Sequence, residues 1–270
     1  MPYRLVAIDL DDTLLNNDLQ ISPRVQAAIQ RTIEQGVQVT LATGRMFRSA
    51  YPFAQQMGLN IPLITYQGAL VKNSQSGEVL YHTPLPRIYV RPVLELINTY
   101  GYHVQAYVDD ELVMEKYTAE AQAYVDQSRV PVKLVPDLLS FLSQEPTKIL
   151  VINFDEPKLN AMAEDLNHRF GEHLYITKSK PYYLEVLHPE ATKGKALQAL
   201  ASRLEIRREE VIAIGDSFND IDMIQYAGLG VVMGNAREEI KQYADYVTVS
   251  NEDDGVAEVL EKFVLKGVGI

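Results

Sequence analysis

The chain has 270 residues, 47% of them hydrophobic and 23% charged, which is enough to bury one large core or two modest ones and excludes a disordered or fibrous protein. Its formal net charge of -11 argues against a general nucleic-acid binder, which needs a basic surface, but it allows a small anionic ligand held by local cations. There is no cysteine, so disulfides, zinc–thiolate sites and thiol nucleophiles are excluded.

The N-terminal part of the chain alternates short apolar strands with helices. The pattern predicts strands at 5–8, 37–42 and 63–66, separated by helices that begin at Ser22-Pro23 and at about Met46. Few polar residues interrupt these strands, which is typical of a parallel sheet covered by helices on both faces. We therefore predict an α/β domain here.

The pattern changes between His82 and His188. Strands predicted at 102–108 and 148–154 alternate with helices such as 158–170, and prolines punctuate the region. After His188 the first pattern returns, with a helix at 193–204, strands at 211–214 and 229–233, and a last helix from about Gly255. We expect a separate α+β domain inserted into the α/β domain.

No targeting or membrane segment is evident in the sequence. The first residues lack the basic start and long apolar stretch of a secretory signal, and no apolar run approaches the length of a bilayer span. We expect a cytoplasmic protein that does not associate with membranes.

Polar residues follow three of the predicted strands: Asp9 and Asp11 after the first, Thr43 after the second, and Asp216 after the strand at 211–214. Ligands of open parallel sheets bind beyond the carboxyl ends of the strands. The sequence therefore predicts that these residues meet at one edge of the sheet.

The acidic run contains Asp9 and Asp11, which lie on the same side of the chain if it stays extended. Two carboxylates about 4 Å apart repel by roughly 4 kcal/mol at an effective dielectric near 20. Nothing basic lies in the run, so a divalent cation would relieve the repulsion. Taken alone, such a run is more often a solvated acidic loop.

The segment Gly215-Asp216-Ser217-Phe218-Asn219-Asp220 places a second acidic pair one helical turn apart. Mg²⁺ usually takes one or two carboxylates together with substrate oxygens and water, which fits Asp9 and Asp216. An acidic residue in the first turn of a helix also suits the helix dipole, so this segment alone leaves both interpretations open.

Two further segments suit an anion. Thr43-Gly44-Arg45 is expected to open a helix, where a hydroxyl and free amides could hold a phosphate, although the segment taken alone slightly favours an ordinary threonine cap. Lys193 could supply a point charge, although a single lysine is usually solvated.

In order along the chain, these segments resemble the four motifs of the haloacid dehalogenase superfamily of phosphotransferases. The matching residues are Asp9-Leu10-Asp11-Asp12-Thr13-Leu14, then Thr43, then Lys193, and then Gly215-Asp216-Ser217-Phe218-Asn219-Asp220. The segments at 42–45, 67–69 and 230–236 resemble the Cof-type branch, which carries a large cap domain between the second and third motifs.

Two positions depart from the pattern of the family. Asp12 replaces the usual glycine, and aspartate tolerates turns. Gln67 replaces the asparagine of the branch, which weakens any role assigned to this loop in binding substrate.

The resemblance implies an α/β fold, with a Rossmann-like, doubly wound parallel-sheet core and an inserted α+β cap domain. We expect residues 1–82 and 188–270 to form the core, and residues 83–187 to form the cap that determines substrate specificity.

The resemblance also implies Mg²⁺-dependent hydrolysis of a small phosphate monoester. Asp9 attacks phosphorus and becomes an aspartyl phosphate, while Asp11 protonates the leaving oxygen and then deprotonates the hydrolytic water. The implied ligands of Mg²⁺ are Asp9, the backbone carbonyl of Asp11, and Asp216. The residues implied to bind phosphate are Thr43, Gly44, Lys193 and Asn219. Arg45 and Asp220 are implied to support these residues.

Two other functions remain open at this point. A phosphomutase or phosphotransferase of the same superfamily would pass the phosphate to a second sugar hydroxyl. A phosphate-sensing module would keep the phosphate on Asp9, but Asp11 supplies the base that signalling has to avoid. The expected partner is a small phosphorylated metabolite, first a sugar phosphate and next pyridoxal phosphate or flavin mononucleotide. The oligomeric state is not readable from the sequence.

Overall fold

The computed structural model describes residues 3–59, 61–142 and 144–265. The strands are β1 (Leu5–Ile8), β2 (Gln38–Leu41), β3 (Pro62–Thr65), β4 (Leu70–Asn73), β5 (Val79–His82), β6 (His103–Val108), β7 (Glu111–Met114), β8 (Val132–Leu134), β9 (Lys148–Ile152), β10 (Tyr175–Lys180), β11 (Tyr183–Leu187), β12 (Val211–Gly215), β13 (Leu229–Val232) and β14 (Tyr246–Val247). The α-helices are α1 (Pro23–Glu34), α2 (Phe47–Gln56), α3 (Arg87–Tyr100), α4 (Ala119–Ser128), α5 (Leu138–Phe141), α6 (Glu156–Phe170), α7 (Lys193–Arg203), α8 (Ile221–Tyr226), α9 (Glu238–Lys241) and α10 (Gly255–Phe263).

The core of the molecule is a parallel sheet of five strands in the order β14-β13-β12-β1-β2. Every residue of β1 and β12 is buried, as expected for central strands covered on both faces. Because β1 lies between β12 and β2, the chain segments that follow these three strands leave the sheet at the same edge. The predicted α/β core is therefore confirmed.

The strand predicted at 63–66 is present as β3, but its pairing differs from the expectation. It touches the parallel sheet through one bridge, Ala42 to Ile64, and its ladder partner is the antiparallel strand β4. β4 pairs in turn with β5, so the three strands form a separate antiparallel sheet. The turn between β3 and β4 contains Tyr66, Gln67 and Gly68, all with positive φ, and no simple turn signal in the sequence announces it.

The cap is built on a sheet of six strands in the order β10-β11-β9-β6-β7-β8. All neighbours pair antiparallel except β7 and β8. Because side chains alternate across a strand, one face of this sheet packs with α3 and α6, and the other face packs with residues of the core. The face toward the core carries Lys148 and Leu150 of β9 and Tyr183 and Glu185 of β11.

The six cap strands all lie between β5, which ends at His82, and α7, which begins at Lys193. We therefore propose that residues 1–82 and 188–270 form the core and that residues 83–187 form the cap.

The helix starts illustrate how local sequence sets the elements. Ser22 precedes α1, and its Oγ accepts a hydrogen bond from the backbone N–H of Val25 at 3.1 Å, while Pro23 occupies the first helical position. This agrees with the predicted start of the helix.

None of the helices in the described part of the chain combines the length and the apolar character that crossing a bilayer requires.

Candidate active site

A cluster of three aspartates lies at the carboxyl edge of the parallel sheet. Asp9 follows β1, Asp216 follows β12, and the neighbouring ends of these strands are in register at Ile8 and Ile214. Asp220 lies in the short helical turn after Asp216. One carboxylate oxygen of each aspartate lies within 4.8 Å of the others.

Lys193 is the cation that this cluster contacts. It is the first residue of α7 and is buried, and its Nζ donates to Oδ1 of Asp9 at 2.6 Å and to Oδ1 of Asp220 at 2.5 Å. Burial by itself would lower the pKa of Lys193, but the charges of Asp220 and Asp9 outweigh it, so the net pKa is raised. Lys193 therefore carries a positive charge inside the site.

Asp220 holds the loop after β12 in place. Its Oδ2 accepts hydrogen bonds from the backbone N–H of Asp216 at 3.0 Å and of Ser217 at 2.9 Å. A Cβ at Gly215 would lie 2.5 Å from the Cβ of Asp220, so the close approach requires glycine. Because both oxygens of Asp220 are engaged by Lys193 and these amides, Asp220 supports the site from behind Asp216.

The charges of the cluster do not balance. The cluster contains three carboxylates, and Lys193 contacts two of them. When all of these groups are ionised, the cluster has an excess of two negative charges. The pKa of Asp9 is raised to about 8, because burial, together with repulsion from Asp220, outweighs the attraction of Lys193. Burial, then Asp220 and Asp9, raise the pKa of Asp216 well above its usual value. A divalent cation would remove this imbalance, and carboxylate oxygens are the ligands that Mg²⁺ prefers, so the residues fit such an ion.

Asp11 lies apart from this cluster and pairs with Arg45. The guanidinium donates from Nη2 to Oδ1 at 2.7 Å and from Nε to Oδ2 at 2.8 Å, and Gln127 of the cap donates to Oδ1 at 3.3 Å. Burial would raise the pKa of Asp11, but the hydrogen bonds and charge of Arg45 outweigh it, so the net pKa is lowered.

The sequence placed no basic residue in the acidic run, but two cations reach it from elsewhere in the chain. Arg45 neutralises Asp11, and Lys193 neutralises Asp9. Both cations come from segments distant in sequence, so reading the acidic run by itself could not reveal them.

Thr43 and Gly44 lie in a loop between β2 and α2. The expectation that Thr43-Gly44-Arg45 opens a helix is wrong, because α2 begins at Phe47 with Met46 as its cap. The backbone N–H of Thr43 instead donates to Ile64 O of β3 at 2.9 Å, which holds the loop extended beside the sheet. The Oγ1 of Thr43 accepts the backbone N–H of Arg45 at 3.1 Å.

Gln67 lies buried behind the site and contacts two residues that line it, although the sequence suggested a weakened role for its loop. It is fully buried, and its Oε1 accepts a hydrogen bond from Nδ2 of Asn219 at 2.8 Å. Its Nε2 donates to Oε2 of Glu185 at 3.1 Å. A Cβ at Gly44 would lie 2.4 Å from this Nε2, so glycine at position 44 is what allows Gln67 to lie there.

A cavity lies between the core and the cap. The core contributes residues that the sequence analysis had singled out, namely Asp9, Asp11, Thr43, Gly44, Arg45, Asp216 and Asn219. The cap contributes residues that were not predicted from the sequence, namely Tyr124, Gln127, Ser128, Lys148, Leu150, Ser179, Lys180, Tyr183 and Glu185. One signal was available, since Lys148 and Glu185 are single charges in otherwise apolar strands.

Comparison with known proteins matches residues 6–260 to the family of haloacid dehalogenase-like hydrolases. The chain belongs to this family. It is 33% identical over 267 residues to the 5-amino-6-(5-phospho-D-ribitylamino)uracil phosphatase of Bacillus subtilis, with 97% of each chain covered. It is 30% identical over 269 residues to the pyridoxal phosphate phosphatase of Escherichia coli, with 96% of this chain and 98% of that one covered.

A solved structure of a haloacid dehalogenase-like hydrolase from Bacteroides thetaiotaomicron has the same fold. It superposes with a TM-score of 0.87 at 33% identity, covering 96% of this chain and 99% of that one. The predicted superfamily, its Cof-type branch, the fold class and the prediction of a phosphatase are confirmed.

Proposed function

We propose that the enzyme hydrolyses the phosphate monoester of a small metabolite, with Mg²⁺ and through transfer of the phosphate to Asp9. One observation carries the proposal: the carboxylate of Asp9 is buried at the carboxyl end of a central strand, held by Lys193 and close to Asp216 and Asp220. A carboxylate fixed in this way at the floor of a cavity suits a nucleophile.

In the first step, an oxygen of Asp9 forms a bond to phosphorus while the bond from phosphorus to the leaving oxygen breaks, and Asp11 gives that oxygen a proton. In the second step, Asp11 takes a proton from water, the water oxygen bonds to phosphorus, and the bond to Asp9 breaks. The ion pair with Arg45 favours the ionised form of Asp11, which is the form that accepts the proton in the second step, so the first step requires that Asp11 be protonated against the influence of Arg45.

Lys193, Thr43, Gly44 and Asn219 are the residues that we assign to the phosphoryl oxygens. Asp9, the backbone carbonyl of Asp11, and Asp216 would hold Mg²⁺, with Asp220 keeping Asp216 in place. When bound, the ion would supply positive charge that stabilises the transferring phosphoryl group.

For the substrate, we propose a small phosphate ester rich in hydroxyl groups, with sugar phosphates first. The polar cap residues Gln127, Ser179 and Lys180 offer hydrogen bonds on the leaving-group side of the cavity, and the rings of Tyr124 and Tyr183 offer flat surfaces. The two named relatives act on phosphates that carry a heterocyclic ring, so pyridoxal phosphate and the phosphoribitylaminouracil belong in the same panel.

The test is release of inorganic phosphate from this panel, with Mg²⁺ and with a chelator. We expect Mg²⁺-dependent release, and a loss of more than about 1,000-fold in Asp9→Asn because the nucleophile is removed. Asp18→Asn, which changes an exposed aspartate of the following loop, is the matched control and should act like the wild type.

Three results would oppose the proposal. Full turnover in Asp9→Asn would remove Asp9 as nucleophile. Transfer to a second sugar hydroxyl that needs a bisphosphate activator would indicate a mutase, and a long-lived phosphoprotein with negligible turnover would indicate a sensing module.

A further inference from the structure

Two charged residues lie in the apolar strands on the face of the cap sheet that meets the core. They are Lys148 of β9 and Glu185 of β11, and both side chains are only 2% exposed. The Nζ of Lys148 lies 3.0 Å from Oε2 of Glu185. Removing two charges from water is costly, and an apolar pair would serve stability as well. The ion pair therefore requires a reason other than stability.

Both members of the pair reach across to the core. The Nζ of Lys148 also donates to the backbone carbonyl of Gly44 at 2.7 Å. Oε2 of Glu185 also accepts a hydrogen bond from Nε2 of Gln67 at 3.1 Å. The ion pair thus contacts the loop after β2 and the turn after β3, and these contacts exist only while the cap lies against the core.

The chemistry of Glu185 determines the orientation of two amides. A carboxylate can only accept hydrogen bonds, so Gln67 has to turn its Nε2 toward Glu185 and its Oε1 toward Asn219. Asn219 then has to direct its Nδ2 toward Gln67, as observed at 2.8 Å. The second hydrogen of that Nδ2 remains for a ligand, and Oδ1 of Asn219 is buried without a partner among the described residues.

We propose that Glu185, held by Lys148, is a positioning residue of the phosphate site. Through Gln67 it fixes the amide of Asn219 so that one N–H stays available to a phosphate oxygen, and it thereby makes phosphate binding depend on a seated cap. This inference rests on the proposed function, in which Asn219 contacts the phosphate.

A reciprocal exchange tests the order of donors and acceptors. Glu185→Gln allows Gln67 to turn either way, and Gln67→Glu places two carboxylates side by side. Each single variant should bind inorganic phosphate at least about 10-fold more weakly. The double variant restores the order, with an amide at position 185 donating to a carboxylate at position 67. Lys148 and Gln67 donate to the same oxygen of Glu185, so in the double variant Lys148 has to turn from position 185 to the carboxylate at position 67.

One variant with an uncharged, apolar side chain and one control variant complete the experiment. Gln67→Met removes the link while leaving the ion pair intact, and it should also weaken phosphate binding about 10-fold. Glu111→Gln breaks an exposed pair with Lys133 in the same sheet and should change nothing. Phosphate affinity is measured by calorimetry with Mg²⁺ present, and the melting temperature of each variant shows whether it is folded.

Phosphate affinity in the double variant within about 3-fold of the wild type would support the relay, since a structural defect would not be repaired by a second charge change. Wild-type affinity in Gln67→Met or Glu185→Gln, or a double variant no better than the weaker single one, would overturn it. Because binding rather than turnover is measured, absence of ester hydrolysis by the wild type would refute the proposed function separately.

Discussion

At the scale of single residues, the site is organised by pairs that compensate charge. Asp9 meets Lys193, and Asp11 meets Arg45, so these two carboxylates of the acidic run pair with different cations. The two pairs differ in surroundings. Lys193 is shared between Asp9 and Asp220, whereas Arg45 gives two hydrogen bonds to Asp11 and a third to Ser49. The proposed nucleophile, Asp9, and the proposed acid–base residue, Asp11, are therefore held by different cations.

Gly44 allows a prediction at this scale. An added methyl group would lie 2.4 Å from Nε2 of Gln67, so the end of this side chain would have to shift. We expect Gly44→Ala to lower kcat/KM about 10-fold or more by displacing Gln67. The melting temperature should change little, because the strained contact is with the end of one side chain.

The control for this prediction is the same change in a Gln67→Ala background, where the space is free. Gly44→Ala should add no further loss there, since the two changes act through one contact. Equal losses in both backgrounds would contradict the steric explanation.

At the scale of elements, the helix caps connect local sequence to packing. Ser22 caps α1, and its hydroxyl also donates a hydrogen bond to Asp254, the residue before α10. α1 and α10 pack against each other, so one serine orders the start of both helices. The periodicity of the sequence predicted the helices, but the link between them depends on residues 232 apart.

We predict that Ser22→Ala lowers the free energy of unfolding by about 1–2 kcal/mol, because a cap and a hydrogen bond are lost together. Urea denaturation would measure this. Phosphatase activity should be unchanged, since Ser22 does not line the cavity. Ser22→Thr keeps the hydroxyl and should retain most of the stability, so an equal loss in that variant would show that the cap is not the cause.

At the scale of the whole molecule, the excess negative charge at the sheet edge couples cation binding to stability. Asp9 and Asp216 come from strands about two hundred residues apart, and one bound cation would hold both. A ligand at 100 times its dissociation constant stabilises a protein by about 2.7 kcal/mol. For a chain of this size, that corresponds to a rise in melting temperature of about 5–10 °C.

We therefore predict that Mg²⁺ raises the melting temperature of the wild type but scarcely that of Asp216→Asn. In a chelator the variant should have the higher melting temperature of the two proteins. It has one buried charge fewer, and its amide oxygen can still accept a hydrogen bond from Thr13. Sodium chloride at equal ionic strength controls for screening. Equal shifts in both proteins would rule out Asp216 as a ligand.

Several features of this protein follow from the sequence by itself. Apolar strands alternating with helices determine a parallel sheet, and parallel strands bring their carboxyl ends to one edge, so the convergence of Asp9, Thr43 and Asp216 was predictable. Ser22-Pro23 likewise announced the start of α1. Each of these inferences depends on neighbours within a few residues or on the regular geometry of a sheet.

Only the tertiary structure decided which groups meet in the site. The pairing of Arg45 with Asp11, the antiparallel partner of β3, and the chain of contacts from Glu185 through Gln67 to Asn219 depend on residues far apart in sequence. Such contacts leave no periodic pattern, because they join segments that are distant in sequence, some within the core and some between the cap and the core. The positions of charge along the chain predicted which residues meet at one edge of the sheet, and the tertiary structure determined which cation pairs with each carboxylate.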